Sequence, residues 1–70
     1  MSTRNFTKKV LAEAINKAKI QNEKFDCDAI ELFANFHNVN VSDLAIYVKE
    51  LRREKTIDKD YGKELRCISE

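Results

Sequence analysis

Turn-forming residues are almost missing from this 70-residue chain, which has no proline and a single glycine, Gly62. Strand-rich small domains need turn residues every few positions, so the shortage predicts helices joined by short polar links. One glycine also excludes a glycine-rich phosphate-binding loop. No segment approaches the roughly 18 apolar residues of a membrane-spanning helix, and no apolar signal segment follows Met1. Neither membrane insertion nor secretion is therefore expected.

Cysteine and histidine are scarce, with Cys27, Cys67 and His37 as the complete set. The two cysteines form no CxxC pair, whereas a structural zinc in a small domain usually needs four closely spaced ligands. Without a secretion signal, we expect a cytoplasmic protein with two reduced thiols. His37 has no Ser or Cys nucleophile beside it in a recognisable motif, so a capping or packing role is favoured over catalysis. No metal and no cofactor are expected.

The charges nearly cancel. Charged residues are 36% of the chain, but Lys+Arg 13 against Asp+Glu 12 leaves a net charge of +1. Such a balance provides little attraction toward nucleic acid or an anionic membrane. Asp26 and Asp28 stand two positions apart, which directs their side chains to different faces of a helix rather than to one acid–base site. The sequence favours a binding protein over an enzyme.

Length and periodicity predict one all-α domain over residues 1–70, a compact bundle of three to four short helices. Asn5 is the expected N-cap of the first helix, Asp26 of the second and Ser42 of the third, while Thr56 or Asp58 would cap a short fourth. The predicted apolar stripes are, in order, Phe6, Val10, Leu11, Ala14, Ile15 and Ala18; Ala29, Leu32, Phe33 and Phe36; Leu44, Tyr47, Val48 and Leu51; and Tyr61, Leu65 and Ile68.

Apolar residues outside these stripes mark the corner between the second and third helices. Ile30 and Ile46 lie off the main stripes, and Val39 and Val41 stand in the link, next to Asn38, which can end a helix in the left-handed conformation. A hydrophobic staple could bury Val41 and Ile46, and single exposed apolar residues are normal. Several at one corner favour a groove for a partner. The candidate partner-binding residues are Phe33, Phe36, Val39, Ile46 and Tyr47.

Residues 32–48 also approximate a helix-turn-helix, which leaves a second interpretation open: a small DNA-binding transcriptional regulator. Base discrimination needs polar or basic residues at the start of the second helix, whereas this helix opens Ser-Asp-Leu-Ala-Ile. Asp43 would face phosphates unfavourably. A DNA binder would have to use Ser42, Lys49, Arg52 and Arg53, so any DNA contact is expected to be weak or indirect.

Four segments resemble the late-transcription coactivators of T4-like bacteriophages. They are residues 5–10 (Asn-Phe-Thr-Lys-Lys-Val), 25–33 (Phe-Asp-Cys-Asp-Ala-Ile-Glu-Leu-Phe), 38–48 (Asn-Val-Asn-Val-Ser-Asp-Leu-Ala-Ile-Tyr-Val) and 64–68 (Glu-Leu-Arg-Cys-Ile). Together they span nearly the whole chain, although none of them alone is a specific motif.

The resemblance implies a transcription accessory protein that grips the flap-tip helix of the host RNA polymerase β subunit, in the host cytoplasm. In that family the coactivator stands where the promoter-reading region of the primary sigma factor would dock, and a phage sigma factor is a further candidate partner. Family members also carry an apolar, acidic C-terminal tail that attaches to the phage sliding clamp. No such tail follows Ser69 and Glu70, so clamp attachment by that route is not expected.

Overall fold

Three helices and a C-terminal run of turns make up the part of the chain that the structure, a computed structural model, describes: the backbone of residues 3–68 and the side chains of residues 6–68. The helices are α1 (Thr3–Ile20), α2 (Cys27–His37) and α3 (Val41–Arg53). Helix α3 packs against both α1 and α2 and is the centre of the bundle. The all-α prediction is confirmed, and residues 3–68 contain no strand. Ser69 and Glu70, where a clamp-binding tail would begin, lie outside the described residues.

Helix α1 packs against the bundle along the stripe that the sequence predicts. Leu11, Ile15 and Ala18 are buried, at the spacing of one helical face. Thr7 extends that face toward the N-terminus as the buried polar residue of the core. Phe6 differs from the prediction, because 59% of its surface is exposed. The N-cap expected at Asn5 is also wrong, since α1 already includes that residue.

Helix α2 begins and ends where the sequence predicts, but the side that it buries is not the predicted one. The Asp26 side chain accepts a hydrogen bond from the backbone N–H of Ala29, and Asn38 closes the helix in the left-handed conformation. Ile30 and Ala34 point into the core. Leu32 and Phe36, predicted to be core residues, point outward. Apolar residues surround most of this helix, so periodicity alone could not select its buried face.

Helix α3 buries the four residues predicted for it: Leu44, Tyr47, Val48 and Leu51. Its start differs by two residues, because Asn40 is the N-cap and Ser42 lies in the first turn. The Asn40 side chain makes no capping hydrogen bond, whereas its carbonyl oxygen accepts from the backbone N–H of Leu44. Because Asn40 is the N-cap, the two positions of a hydrophobic staple are Val39 and Leu44, and not Val41 and Ile46 as predicted.

The segment after α3 forms successive turns rather than a fourth helix. The backbone-to-backbone hydrogen bonds within residues 58–68 join carbonyl oxygens to N–H groups three positions on, and Gly62 has a φ of +86°, outside the helical region. Ile57 and Ile68, at the two ends of the segment, are nevertheless buried in the same core as the helices. Residues 57–68 therefore complete the core as a series of turns. We call this segment the C-terminal strap.

A disulfide joins the C-terminal strap to α2. Cys27 is the first residue of α2, and its Cα lies 5.9 Å from that of Cys67, within the range that a disulfide spans. The prediction of two reduced thiols is wrong for this structure, in which both cysteines are bonded. The spacing of 40 residues could not show this, because only the path of the strap brings the two positions together.

Candidate protein-binding surface

The most exposed apolar side chains of α2 lie on one face of the helix. Leu32 is 71% exposed and Phe36 is 85% exposed, one helical turn apart. Asp28, Glu31 and Asn35 are exposed on the same face, because residues 28, 31, 32, 35 and 36 follow helical spacing. We call these five residues the outer face of α2. Two large exposed apolar residues at i and i+4 match the spacing of the anchors by which a helix binds in a groove.

Aromatic packing supports one edge of this face. The Phe33 and His37 rings have centroids 4.2 Å apart, and the Phe36 ring meets His37 edge-on at 5.1 Å. Phe25 contacts Phe33 in a second edge-on pair at 6.4 Å. His37 therefore packs between two phenylalanines at the end of the helix, as the sequence favoured. These ring contacts link Phe25, Phe33, His37 and Phe36 in one aromatic row along the edge of the face.

The five predicted partner-binding residues occupy different environments. Phe36 is on the surface, and Ile46 on α3 is 48% exposed. Phe33 and Val39 are half-buried and pack partly against the core. Tyr47 is 7% exposed and belongs to the core itself, so it offers a partner almost no surface. The sequence reasoning missed Leu32, although its spacing of four from both Asp28 and Phe36 was a usable signal.

A groove of 660 Å³ lies away from these residues, between the end of α1, the link before α2 and the C-terminal strap. Its apolar lining is Ile15, Ala18, Phe25, Tyr61 and Leu65. The Tyr61 hydroxyl donates a 2.6 Å hydrogen bond to the carbonyl oxygen of Phe25 across the groove. Burial, together with the nearby charge of Asp26, raises the pKa of the Tyr61 hydroxyl. This hydroxyl is therefore a neutral structural donor.

An ion pair stands at the rim of the same groove. Lys19 at the end of α1 donates to the Asp58 carboxylate at 3.1 Å. That hydrogen bond, helped by one from the backbone N–H of Asp60, lowers the pKa of Asp58. Both charged groups are largely exposed, so the pair orients the strap more than it stabilises the fold.

The residues of the alternative DNA interface lie along α3. Ser42 and Arg53 are exposed, and Lys49 is half-buried. Arg52 is engaged inside the molecule, because its guanidinium donates to the carbonyl oxygen of Tyr61 at 3.0 Å. The same end of the helix carries Glu50 and Glu54, whose carboxylates lie 3.5 and 2.6 Å from the Lys8 ammonium. These acidic residues interrupt the basic run.

Residues 3–68 contain neither a candidate metal site nor a candidate membrane-spanning helix. Nowhere in residues 3–68 do three or more His, Cys, Asp or Glu side chains come together in a way that could hold a metal ion. Within that range, none of the helices has the length and apolar content needed to cross a bilayer.

Comparison of the chain with models of protein families, with curated proteins and with solved structures found no match.

Proposed function

We propose that this chain is a transcription accessory protein of the phage late-coactivator type, which binds the β-flap of host RNA polymerase in the host cytoplasm. One observation carries the proposal: Leu32 and Phe36 expose large apolar side chains on a capped, well-packed helix. The resemblance of residues 25–33 and 38–48 to the coactivator family, stated above, gives the identity of the partner. A phage sigma factor is a second candidate partner.

The outer face of α2 places two large exposed apolar side chains among polar residues, an arrangement that supports a contact with a partner. Each large apolar side chain contributes about 1.5–3 kcal/mol when it is fully removed from water. Interfaces concentrate their binding energy in a few such residues, with polar groups around them. Leu32 and Phe36 would be the central anchors, and Ile46 on α3 would extend the contact. Asp28 and Glu31 would favour a partner helix with basic residues beside its apolar ones.

The test is binding of the purified chain to host RNA polymerase core enzyme, measured by biolayer interferometry for the parent protein and for Phe36→Asp. A carboxylate in the centre of the contact would be buried without a partner, so affinity should fall at least about tenfold. Ile20→Asp is the matched control, because Ile20 is also 85% exposed but lies at the end of α1. The control should bind like the parent, and both variants should keep the parent's melting temperature.

Two results would contradict the proposal. Equal loss of binding in both variants would show that the apolar pair of α2 has no special role. Tight, sequence-selective binding to duplex DNA at physiological salt, weakened by Arg53→Ala, would instead support the helix-turn-helix interpretation. Phosphate contacts alone would give weak binding that declines steeply with added salt.

A further inference from the structure

The groove between the end of α1, the link before α2 and the C-terminal strap is open to solvent and has firm walls. The strap wall is anchored at both ends, because Ile57 and Ile68 are buried in the same core as the helices. Between these ends, the hydrogen bond from the Tyr61 hydroxyl to the Phe25 carbonyl oxygen joins the two walls. The volume of 660 Å³ lies within the range of about 300–1,000 Å³ that is usual for ligand-binding clefts. A ligand can therefore enter this groove without a rearrangement of the fold.

The floor of the groove is apolar, and part of it contacts water. Ile15 and Ala18 are buried beneath the groove, whereas Phe25, Tyr61 and Leu65 are only half-buried. Removing such surface from water is favourable, and the gain is roughly proportional to the apolar area that is covered. A ligand that fits this floor carries apolar side chains.

The rim of the groove is acidic. Five carboxylates and two ammonium groups belong to the lining: those of Glu23, Asp26, Asp58, Asp60 and Glu64, and those of Lys19 and Lys24. Three of the carboxylates are engaged, Asp58 with Lys19, Asp60 with Lys63, and Asp26 as the cap of α2. Glu23 on the link and Glu64 on the strap are exposed, and neither has an ion-pair partner among residues 6–68. Such a rim attracts cations and disfavours nucleic acid and anionic lipid.

We propose that this groove binds a basic segment of a partner protein, in which Lys or Arg residues flank apolar side chains. The apolar side chains cover the exposed parts of Phe25, Tyr61 and Leu65, and the basic groups lie beside Glu23 and Glu64 on the two walls. A polyamine has the cationic groups without the apolar side chains, and therefore matches only the rim. The groove shares no residue with the outer face of α2, so the proposal is independent of the partner assigned to that face.

Heteronuclear NMR of the isotopically labelled full chain tests the proposal. The probe is the synthetic peptide Lys-Leu-Lys-Lys-Leu-Lys with both ends blocked. Saturable shift changes should concentrate at the amides of Phe25, Tyr61 and Leu65, while those of Leu32 and Phe36 on the outer face of α2 change little. The same peptide with Ser in place of both Leu residues, and spermine, should each bind at least about tenfold more weakly, because the apolar contacts are lost.

The double variant Glu23→Lys with Glu64→Lys should bind the peptide at least about tenfold more weakly, because repulsion replaces attraction on both walls. Glu13→Lys with Glu31→Lys is the matched control, since it changes the net charge equally at exposed positions outside the groove. At physiological salt the control should bind within about twofold of the parent, because charges far from the peptide are screened. Both double variants should keep the parent's melting temperature.

Four results would overturn the proposal. Largest shift changes at Leu32 and Phe36 would place the peptide on the outer face of α2. Equal weakening by the two double variants would show that only net charge matters. Spermine binding as tight as that of the peptide would show that the apolar floor has no role. The absence of saturable shift changes at about 1 mM peptide would show that the groove does not bind this class of ligand.

Discussion

At the residue scale, four residues within the described range 3–68 adopt a positive φ, each at a place where the chain turns. Asn22 and Asn38 do so after α1 and α2, and asparagine tolerates this conformation better than most residues. Lys55 does so after α3 with a φ of +63°, at a conformational cost that asparagine or glycine would reduce. Gly62 is the fourth and the most constrained. A Cβ there would stand 3.3 Å from two atoms of Ile68 and 3.5 Å from Val48.

Gly62→Ala should therefore destabilise the fold by about 1–2 kcal/mol from backbone strain alone, with crowding against Ile68 adding to the loss. Urea unfolding followed by circular dichroism measures the change. Lys55→Gly is the control at another left-handed position, and it should alter stability by less than about 0.5 kcal/mol, because relief of strain offsets glycine's entropy cost. Equal effects of the two substitutions would show that Gly62 is not under special constraint.

Tyr61→Phe should lower stability at neutral pH by about 0.5–1.5 kcal/mol, because it leaves the Phe25 carbonyl oxygen without its hydrogen bond. The pKa of Tyr61 is raised above its usual value of 10.0, so its hydroxyl stabilises the fold fully below pH 10 and loses that effect as pH rises toward the raised pKa. The parent should thus lose stability faster than the variant above pH 10. The measurement is the urea unfolding midpoint of the parent and of Tyr61→Phe from neutral pH to above pH 10. If the two midpoints change in parallel with pH, ionisation of Tyr61 has no role in stability.

At the scale of the elements, a side-chain cap marks the start of α2 but not the start of α3. Asp26 gives α2 a side-chain acceptor for the N–H of Ala29, whereas α3 begins at Asn40 without such a bond. Ser42 has a cap-forming side chain but stands inside the first turn of α3, after Val41. The start of α3 thus coincides with the packing of half-buried Val39 and Val41 and of buried Leu44 in the core, and not with a side-chain cap.

Asp26→Ala should destabilise the protein by about 1 kcal/mol through loss of the α2 cap. Ser42→Ala should be nearly neutral, within about 0.5 kcal/mol, because no capping hydrogen bond is lost. Thermal unfolding of the two variants, side by side with the parent, measures the contrast. A larger loss for Ser42→Ala than for Asp26→Ala would place the cap of α3 at Ser42 after all.

At the scale of the whole molecule, a single small hydrophobic core stabilises the fold. Its radius of gyration of 11.0 Å matches the value of about 11 Å expected for a folded chain of this length. A single core of this size provides only about 3–5 kcal/mol of net stability. Buried residues of all three helices and of the C-terminal strap form one cluster, so loss of one large side chain affects the entire molecule.

Leu44→Ala should cost about 2–5 kcal/mol, enough to unfold much of the population, because Leu44 is fully buried on the central helix. Ile46→Ala, two positions away and 48% exposed, should cost less than about 1 kcal/mol. Circular dichroism melts of the two variants test this difference. A severe loss for Ile46→Ala would mean that Ile46 is a structural residue and should be removed from the candidate surface.

The sequence by itself determined the helical class, the three main helices, the cap at Asp26 and the buried stripes of α1 and α3. These features are local, because propensity, capping and a single apolar stripe act within a few residues. Of its candidate contact residues, Phe36 and Ile46 are on the surface, although the sequence also placed Phe36 in the predicted buried stripe of α2. Local sequence pattern predicted nothing further about the candidate site.

Only the tertiary structure decided the features that depend on distant residues. Helix α2 is apolar on more than one side, and its packing on α3 selected Ile30 and Ala34 for the core and left Leu32 outside. Tyr47 belonged both to the predicted buried stripe of α3 and to the candidate contacts, and its burial agrees with the stripe alone. The pairing of Cys27 with Cys67, and the turns that replace a fourth helix, follow from the path of the strap across the core. Long-range packing selects among local alternatives of similar free energy, and no short sequence window contains that information.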